Sequence, residues 1–277
     1  MSDWFQILHL AGYRIEGPDA ADFFQSQFTS DARKLERDCW KPTAWCNRKG
    51  RTRLISLAKG DEQRVELALP RAQIGLVRSL VPYTIGRKVT ITSALLVFGT
   101  YDGTEGGSIA GDEFKRRMRL GPDPGSKAPP AQGDDSHEAS DLLRWRTGDI
   151  LTPLPWLDEH SQDRFLPQAL GLEENEGLSY GKGCYPGQEI VARVHYLGRS
   201  PEKLVGLRFN GSDELKISDL SKASAQTADG QRVALLSAAP DGDIWRALAV
   251  APQTSSSDAP VQIETPRGPI EAEMTAP

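Results

Sequence analysis

The chain has 277 residues, 38% hydrophobic and 26% charged, with a net charge of −5, a mean hydropathy of −0.45 and a pI near 5.5. That is apolar mass for more than one core, and the acidic balance argues against bulk electrostatic capture of a nucleic-acid backbone. No run approaches the roughly 18 apolar residues of a membrane helix, no secretory signal pattern opens the chain, and three cysteines with four scattered histidines argue against a disulfide framework or a metal cage, so a cytoplasmic protein with no membrane partner and no metal is expected.

Residues 9–15 read as a strand closed by Gly17-Pro18. Asp19 can then cap a helix to Gln27, with Ala20, Phe23, Phe24 and Gln27 at helical spacing. Residues 40–46 and 52–57 pattern as strands joined by the polar turn Asn47-Arg48-Lys49-Gly50, and residues 65–69 as a third. After Pro70, the spacing of Ile74, Val77, Leu80 and Val81 predicts a helix stopped by Pro82. Residues 89–98, rich in β-branched side chains, predict a buried strand. This order suggests an α+β layer, helices on one face of a mainly antiparallel sheet.

Residues 99–140 differ in character. Gly106-Gly107, Pro129-Pro130 and Asp134-Asp135 predict a solvated connection, interrupted by one basic run, Lys115-Arg116-Arg117-Met118-Arg119, that a nucleic acid could contact. Beyond Lys203, hairpin signals at Asp229-Gly230, Asp241-Gly242 and Arg267-Gly268 predict a small antiparallel barrel or sandwich. The expected division is 1–98, 99–200 and 201–277.

The densest chemistry lies in Lys182-Gly183-Cys184-Tyr185-Pro186-Gly187-Gln188-Glu189. Gly183 and Gly187 let the backbone bend and a ligand approach. Pro186-Gly187 before Gln188-Glu189 reads as a helix start, which puts a thiol beside a helix N-terminus and near Lys182; both favour thiolate. Gln188 offers an amide donor and acceptor, Glu189 can receive paired N–H donors, and Arg193 is spaced to pair with Glu189. The plainer reading of Cys184 is a small buried hydrophobe. A second cluster joins Gln27 and Asp31 to the turn bearing Arg48, Lys49, Arg51 and Arg53, which can grip phosphate or carboxylates or simply be solvated. Asp31 is equally a turn cap. Trp40 and Trp45 are either stacking rings or core. No G-x-S-x-G, P-loop, H-E-x-x-H or G-x-G-x-x-G motif occurs.

The run from Lys182 to Glu189 resembles the K-G-C-Y-x-G-Q-E signature of the YgfZ family of folate-binding proteins, relatives of the glycine-cleavage T-protein (aminomethyltransferase). The likeness continues in Val191-Ala192-Arg193, in Phe165-Leu166-Pro167-Gln168, Leu172 and Gly177-Leu178-Ser179-Tyr180 upstream, and in Phe24-Gln25-Ser26-Gln27-Phe28-Thr29-Ser30-Asp31 near the N-terminus. Cys46 to Gly50 resembles the turn after that family's second strand. The resemblance implies a three-part cloverleaf with ferredoxin-like layers, a small C-terminal antiparallel β-barrel, and tetrahydrofolate or a one-carbon derivative in a central hole. It implies a role in assembling or maintaining iron–sulfur enzymes, including those that modify tRNA, so that reduced folate, iron–sulfur client or assembly proteins and tRNA are the implied partners. By the same resemblance Cys184 is the functional residue, with Lys182, Gln188 and Glu189 around it, and Gln27, Asp31, Asn47, Tyr185 and Arg193 fall on the cofactor. The T-protein has acids where this chain has Leu54-Ile55 and Arg146. Carboxylates suit a pterin's N–H donors and one-carbon chemistry, so aminomethyl transfer is the second reading and an RNA-binding module the third.

Overall fold

Alternating apolar residues near the N-terminus form β1 (Phe5–Gln6), β2 (Leu10–Glu16), β3 (Cys39–Cys46), β4 (Thr52–Gly60), β5 (Arg64–Pro70) and β6 (Thr90–Thr100) in a computed structural model that describes residues 4–101, 103–121, 139–212 and 214–277. With β7 (Gly107–Ile109) and β8 (Arg117–Gly121) they make one eight-stranded sheet, ordered β1-β6-β2-β5-β4-β3-β7-β8, in which β8 also pairs back onto β6. The pairing is antiparallel except for β3 and β7, which run parallel at Cys39 and Ser108. This sheet belongs to a first compact unit, Met1–Leu142 with Trp156–Pro167 and Leu172–Ala192.

Helix α1 (Ala20–Gln27) buries the expected face, Ala20, Phe23, Phe24 and Gln27. Phe24 stacks on Phe28 at 4.8 Å within a core that includes Tyr13, Trp45, Leu54 and Leu67. Each such ring contributes about 1.5–3 kcal/mol on burial. Asp19 stands at the N-cap position, but its carboxylate accepts the Lys88 backbone N–H at 2.7 Å instead of capping the helix. Trp40 and Trp45 are both core, and the Trp40 indole donates to the Met118 carbonyl at 2.9 Å.

Three expectations need correction. The segment after Pro70 is a 3₁₀ turn, a short α2 (Ile74–Val77) and a second 3₁₀ stretch, Arg78–Thr84, with Pro82 inside it. Gly75 and Pro82 both disfavour a continuous α-helix, and Val81 is left exposed. In β6 Leu95, Leu96 and Val97 are buried, while Thr90, Thr92 and Ser93 are exposed. Residues 107–121 are part of the sheet and not a solvated link. The basic run alternates as a strand should: Arg116 is fully buried and paired with Asp112 at 2.8 Å, Met118 is buried, and Arg119 is exposed. The stretch 122–138, with Pro129-Pro130 and Asp134-Asp135, lies outside the described residues.

The second unit comprises Leu143–Pro155, Gln168–Gly171 and Arg193–Pro277. Its strands β9 (Glu202–Phe209), β10 (Ser224–Thr227), β11 (Arg232–Asp241), β12 (Ile244–Pro252), β13 (Pro260–Thr265) and β14 (Gly268–Thr275) close into a barrel ordered β10-β11-β12-β9-β14-β13. The three expected hairpins are there, and Gly230 and Gly242 take the positive φ (79° and 63°) that such turns demand. Inward residues such as Leu207, Val233, Ala249, Ile263 and Met274 make an apolar core. The remaining helices are α3 (Ala139–Leu151), which carries the half-buried Arg146, α4 (Gln188–Leu197) and α5 (Ile217–Leu220). The class is mixed α+β with a closed antiparallel barrel.

Candidate functional site

Two stretches far apart in sequence meet in the first unit. Phe28 bridges Trp45 at the end of α1, and the next backbone N–H, of Thr29, donates to the Ala44 carbonyl at 2.9 Å. The Thr29 hydroxyl accepts from the Ala44 N–H at 2.8 Å and donates to the Gly177 carbonyl at 2.6 Å. Ser179 N–H donates to the Thr29 carbonyl at 2.9 Å, and the Ser30 hydroxyl donates to Thr43 Oγ1 at 2.8 Å. The segment 28–31 is thus sewn to β3 on one side and to residues 177–182 on the other.

Lys182 completes the join. Its side chain is buried, and Nζ donates to the carbonyls of Phe28 and of Ser30, the latter at 2.9 Å. Burial disfavours the ammonium and lowers its pKa to about 7, with the Asp31 carboxylate acting in the opposite direction. Asp31 itself caps the 3₁₀ turn Ala32–Lys34 by accepting the Arg33 N–H at 3.1 Å. Hydrogen bonds from the Arg33 guanidinium, at 2.7 Å for its closer contact, hold that carboxyl at about 2. The Tyr185 ring lies 5.1 Å from Lys182 Nζ. Tyr185 is buried, which raises its phenol pKa, and its hydroxyl finds no partner among the described residues. Gln27 is also buried: Nε2 donates to Ser26 Oγ at 3.3 Å, while Oε1 has no partner among the described residues. Buried polar atoms left this way are uncommon in folded proteins and call for an explanation.

The β3–β4 turn receives the motif loop. Asn47 Oδ1 accepts the N–H groups of Lys49 (2.8 Å) and Arg51 (3.1 Å), and Asn47 Nδ2 donates to Asp163 Oδ1 at 2.7 Å. Asn47 therefore shapes the turn. Arg51 donates to the Arg164 carbonyl at 2.9 Å and Arg53 lies over the Trp45 ring at 4.9 Å, whereas Arg48 and Lys49 are exposed. Just before the turn, the Cys46 thiol is pushed up to about 12 by burial. The motif loop lands on this turn through Gly187, at φ 80°, where an added Cβ would stand 2.3 Å from the Asn47 carbonyl oxygen and 2.6 Å from Gly50 Cα. No other residue type allows that approach.

After Pro186-Gly187, α4 begins at Gln188 as the sequence implies, with Glu189 exposed in its first turn, where a negative charge complements the helix dipole. Val191 is buried and Ile190 half-buried, but Leu197 is 81% exposed, so the buried face of α4 lies in its first turns. Cys184 is exposed, in contrast to buried Lys182 two residues earlier, and Arg193 is exposed as well. Asp31, Lys182 and Tyr185 are thus brought together, Gln27 is buried at the end of α1 just before the segment that Lys182 bonds, Asn47 supports the loop, and Cys184, Glu189 and Arg193 are left accessible. Asp163 was missed by motif reasoning; a lone aspartate outside both motifs carries no pattern to read. Among the described residues no group of three His, Cys, Asp or Glu side chains is placed to hold a metal ion.

No family model matches the chain. It is 26% identical to the tRNA-modifying protein YgfZ of Edwardsiella ictaluri (strain 93-146), over 84% of this chain and 80% of the relative. Against the tRNA-modifying protein YgfZ of Vibrio atlanticus (strain LGP32) the identity is again 26%, over 84% and 76%. An uncharacterized protein of Haemophilus influenzae is 30% identical over 78% of this chain and 77% of its own length. Among solved structures, the glycine cleavage system aminomethyltransferase T from Bartonella henselae superposes with a TM-score of 0.65 at 15% identity, covering 99% of this chain and 84% of that one. That last likeness speaks for the fold alone. The motif loop seated on the β3–β4 turn and the relatives that share most of its length place this chain in the YgfZ family, with a fold like that of the glycine-cleavage T-protein.

Proposed function

We propose that this chain is a cytoplasmic folate-binding accessory protein for iron–sulfur cluster assembly or maintenance, acting through Cys184 beside a bound tetrahydrofolate or one-carbon derivative. The observation that carries this reading is two buried, partnerless atoms: the Tyr185 hydroxyl, whose ring lies by Lys182, and Gln27 Oε1, at the end of α1. Leaving such a group unsatisfied costs about 1–3 kcal/mol, and a ligand with matching donors and acceptors removes that cost. A reduced pterin has both: Gln27 Oε1 accepts from ring N–H groups and the Tyr185 hydroxyl donates or accepts. Lys182, with a pKa of about 7, presents a mixture of amine and ammonium near neutrality. The exposed Arg48 and Lys49 suit the carboxylates of a glutamate tail. A bound folate supplies a one-carbon carrier. Lys182 tethers segment 28–31 to the motif loop, and Cys184 stays open to a partner.

Leu54 and Ile55 are fully buried apolar residues and offer no carboxylate, which counts against aminomethyl transfer. Direct RNA binding through the 115–119 run loses support because Arg116 is buried against Asp112. The relatives are named tRNA-modifying; in this reading the link to tRNA runs through client enzymes. Among the described residues no helix is long and apolar enough to cross a membrane. The test is Cys184→Ala in a strain deleted for the native gene. The variant is expected to keep its fold and its tetrahydrofolate affinity while losing rescue of iron–sulfur enzyme activities. Full rescue overturns the role of the thiol.

A further inference from the structure

Asp163 belongs to neither motif, yet its backbone adopts φ 59° without being glycine. Left-handed backbone disfavours any residue with a Cβ, aspartate and asparagine least. Its N–H donates to the Thr52 carbonyl at 2.9 Å, at the start of β4. Its carboxylate accepts from Asn47 Nδ2 at 2.7 Å and from Gln162 Nε2 at 3.2 Å, and lies 3.5 Å from Arg53 Nε. Asn47 in turn organises the β3–β4 turn through the N–H groups of Lys49 and Arg51. The Asn47 carbonyl is where Gly187 packs, three residues after Cys184. Contacts therefore run without a gap from the Asp163 carboxylate, through Asn47, to the motif loop.

We propose that Asp163 is a positioning residue: through Asn47 it holds the β3–β4 turn in the shape on which the Cys184 loop is seated. The proposal rests on the reading that this loop is functional and names the residue that sets it from outside. Glycine would satisfy the backbone more easily, so the aspartate is explained by its carboxylate.

Three variants separate the two contributions in the full chain. Asp163→Asn keeps the left-handed tolerance and an acceptor for Asn47. Asp163→Gly frees the backbone and removes the acceptor; Asp163→Ala loses both. The readouts are peptide-resolved hydrogen exchange over 47–53 and 182–191, and calorimetric titration with tetrahydrofolate. In the Gly and Ala variants exchange in 182–191 is expected to rise, and tetrahydrofolate binding to weaken, by about tenfold, the equivalent of one lost hydrogen bond. The Asn variant is expected to stay within about twofold of wild type. The proposal is overturned if Asp163→Gly behaves as wild type, or if 47–53 loosens while 182–191 does not. If the unaltered chain binds no tetrahydrofolate, the folate reading fails, and the exchange measurement alone still decides the role of Asp163.

Discussion

The barrel of the second unit and the sheet of the first use the same strand alternation for different ends. In the barrel, the inward side chains form an apolar cluster and the six strands close on one another, leaving no open edge. In the first unit, the apolar core under α1 is bordered by buried polar groups: Gln27, Thr29, Ser30, Asp31, Thr43 and Lys182. Two of these six, Thr29 and Lys182, are tied to backbone carbonyls some 150 positions away (separations of 148 and 152 for their bonds to Gly177 and Ser30). Burying a polar group costs stability unless it is hydrogen-bonded, and local rules of core packing are most often broken at functional sites. The barrel accordingly reads as scaffold, and the border of the first sheet is where the proposed site lies.

The sharpest way to break this comparison is a pair of glycines with almost the same φ. Gly187→Ala drives a Cβ to 2.3 Å from a backbone oxygen, and is expected to cost about 3 kcal/mol or more in denaturant unfolding. Gly230→Ala, in a barrel hairpin at φ 79° with nothing within 4 Å, is expected to cost only about 1–2 kcal/mol, from the left-handed backbone alone. Equal costs would mean that the motif loop is not tightly seated. A smaller effect, about 1–3 kcal/mol, is expected for Thr29→Val, which removes a hydroxyl that both donates to Gly177 and accepts from Ala44. No loss in the same assay would show that this crossing is dispensable.

Lys182 provides a pH signature that the apolar barrel core cannot. Its pKa falls from 10.5 to about 7 on folding. Between those values the unfolded chain holds a proton that the folded chain does not, so stability from this group rises with pH from about 7 to about 10.5. Below pH 7 the full burial penalty of the charge applies. Unfolding free energies at pH 7 and pH 9.5 are expected to converge in Lys182→Met relative to wild type, and an unchanged pH slope would contradict the buried placement. The smallest effect is on chemistry and leaves stability untouched. At pH 7 iodoacetamide should label exposed Cys184 well before Cys46, which is buried with its pKa at about 12. Mass spectrometry of the two peptides reads the order, and prior labelling of Cys46 would refute it.

Much of this was legible in the sequence because it is local. Alternation located the strands flanking Asn47 to Gly50, helical spacing marked the buried face of α1, and Asp-Gly pairs marked the barrel turns. The motif itself announced the loop and the start of α4. What escaped depends on distant partners. Asp163 meets Asn47 across 116 positions, and no spacing rule reaches that far. Arg116 looked solvated in a run of bases, but its partner Asp112 buries it. Asp19 had the position of a cap, and the Lys88 N–H took its carboxylate.

The central claim is most directly tested by calorimetric titration of the full chain and of Tyr185→Phe with tetrahydrofolate. The account predicts saturable one-to-one binding to the wild type, weakened about tenfold when the partnerless hydroxyl is removed. No heat up to millimolar ligand at two temperatures, or the same affinity in both proteins, would contradict it.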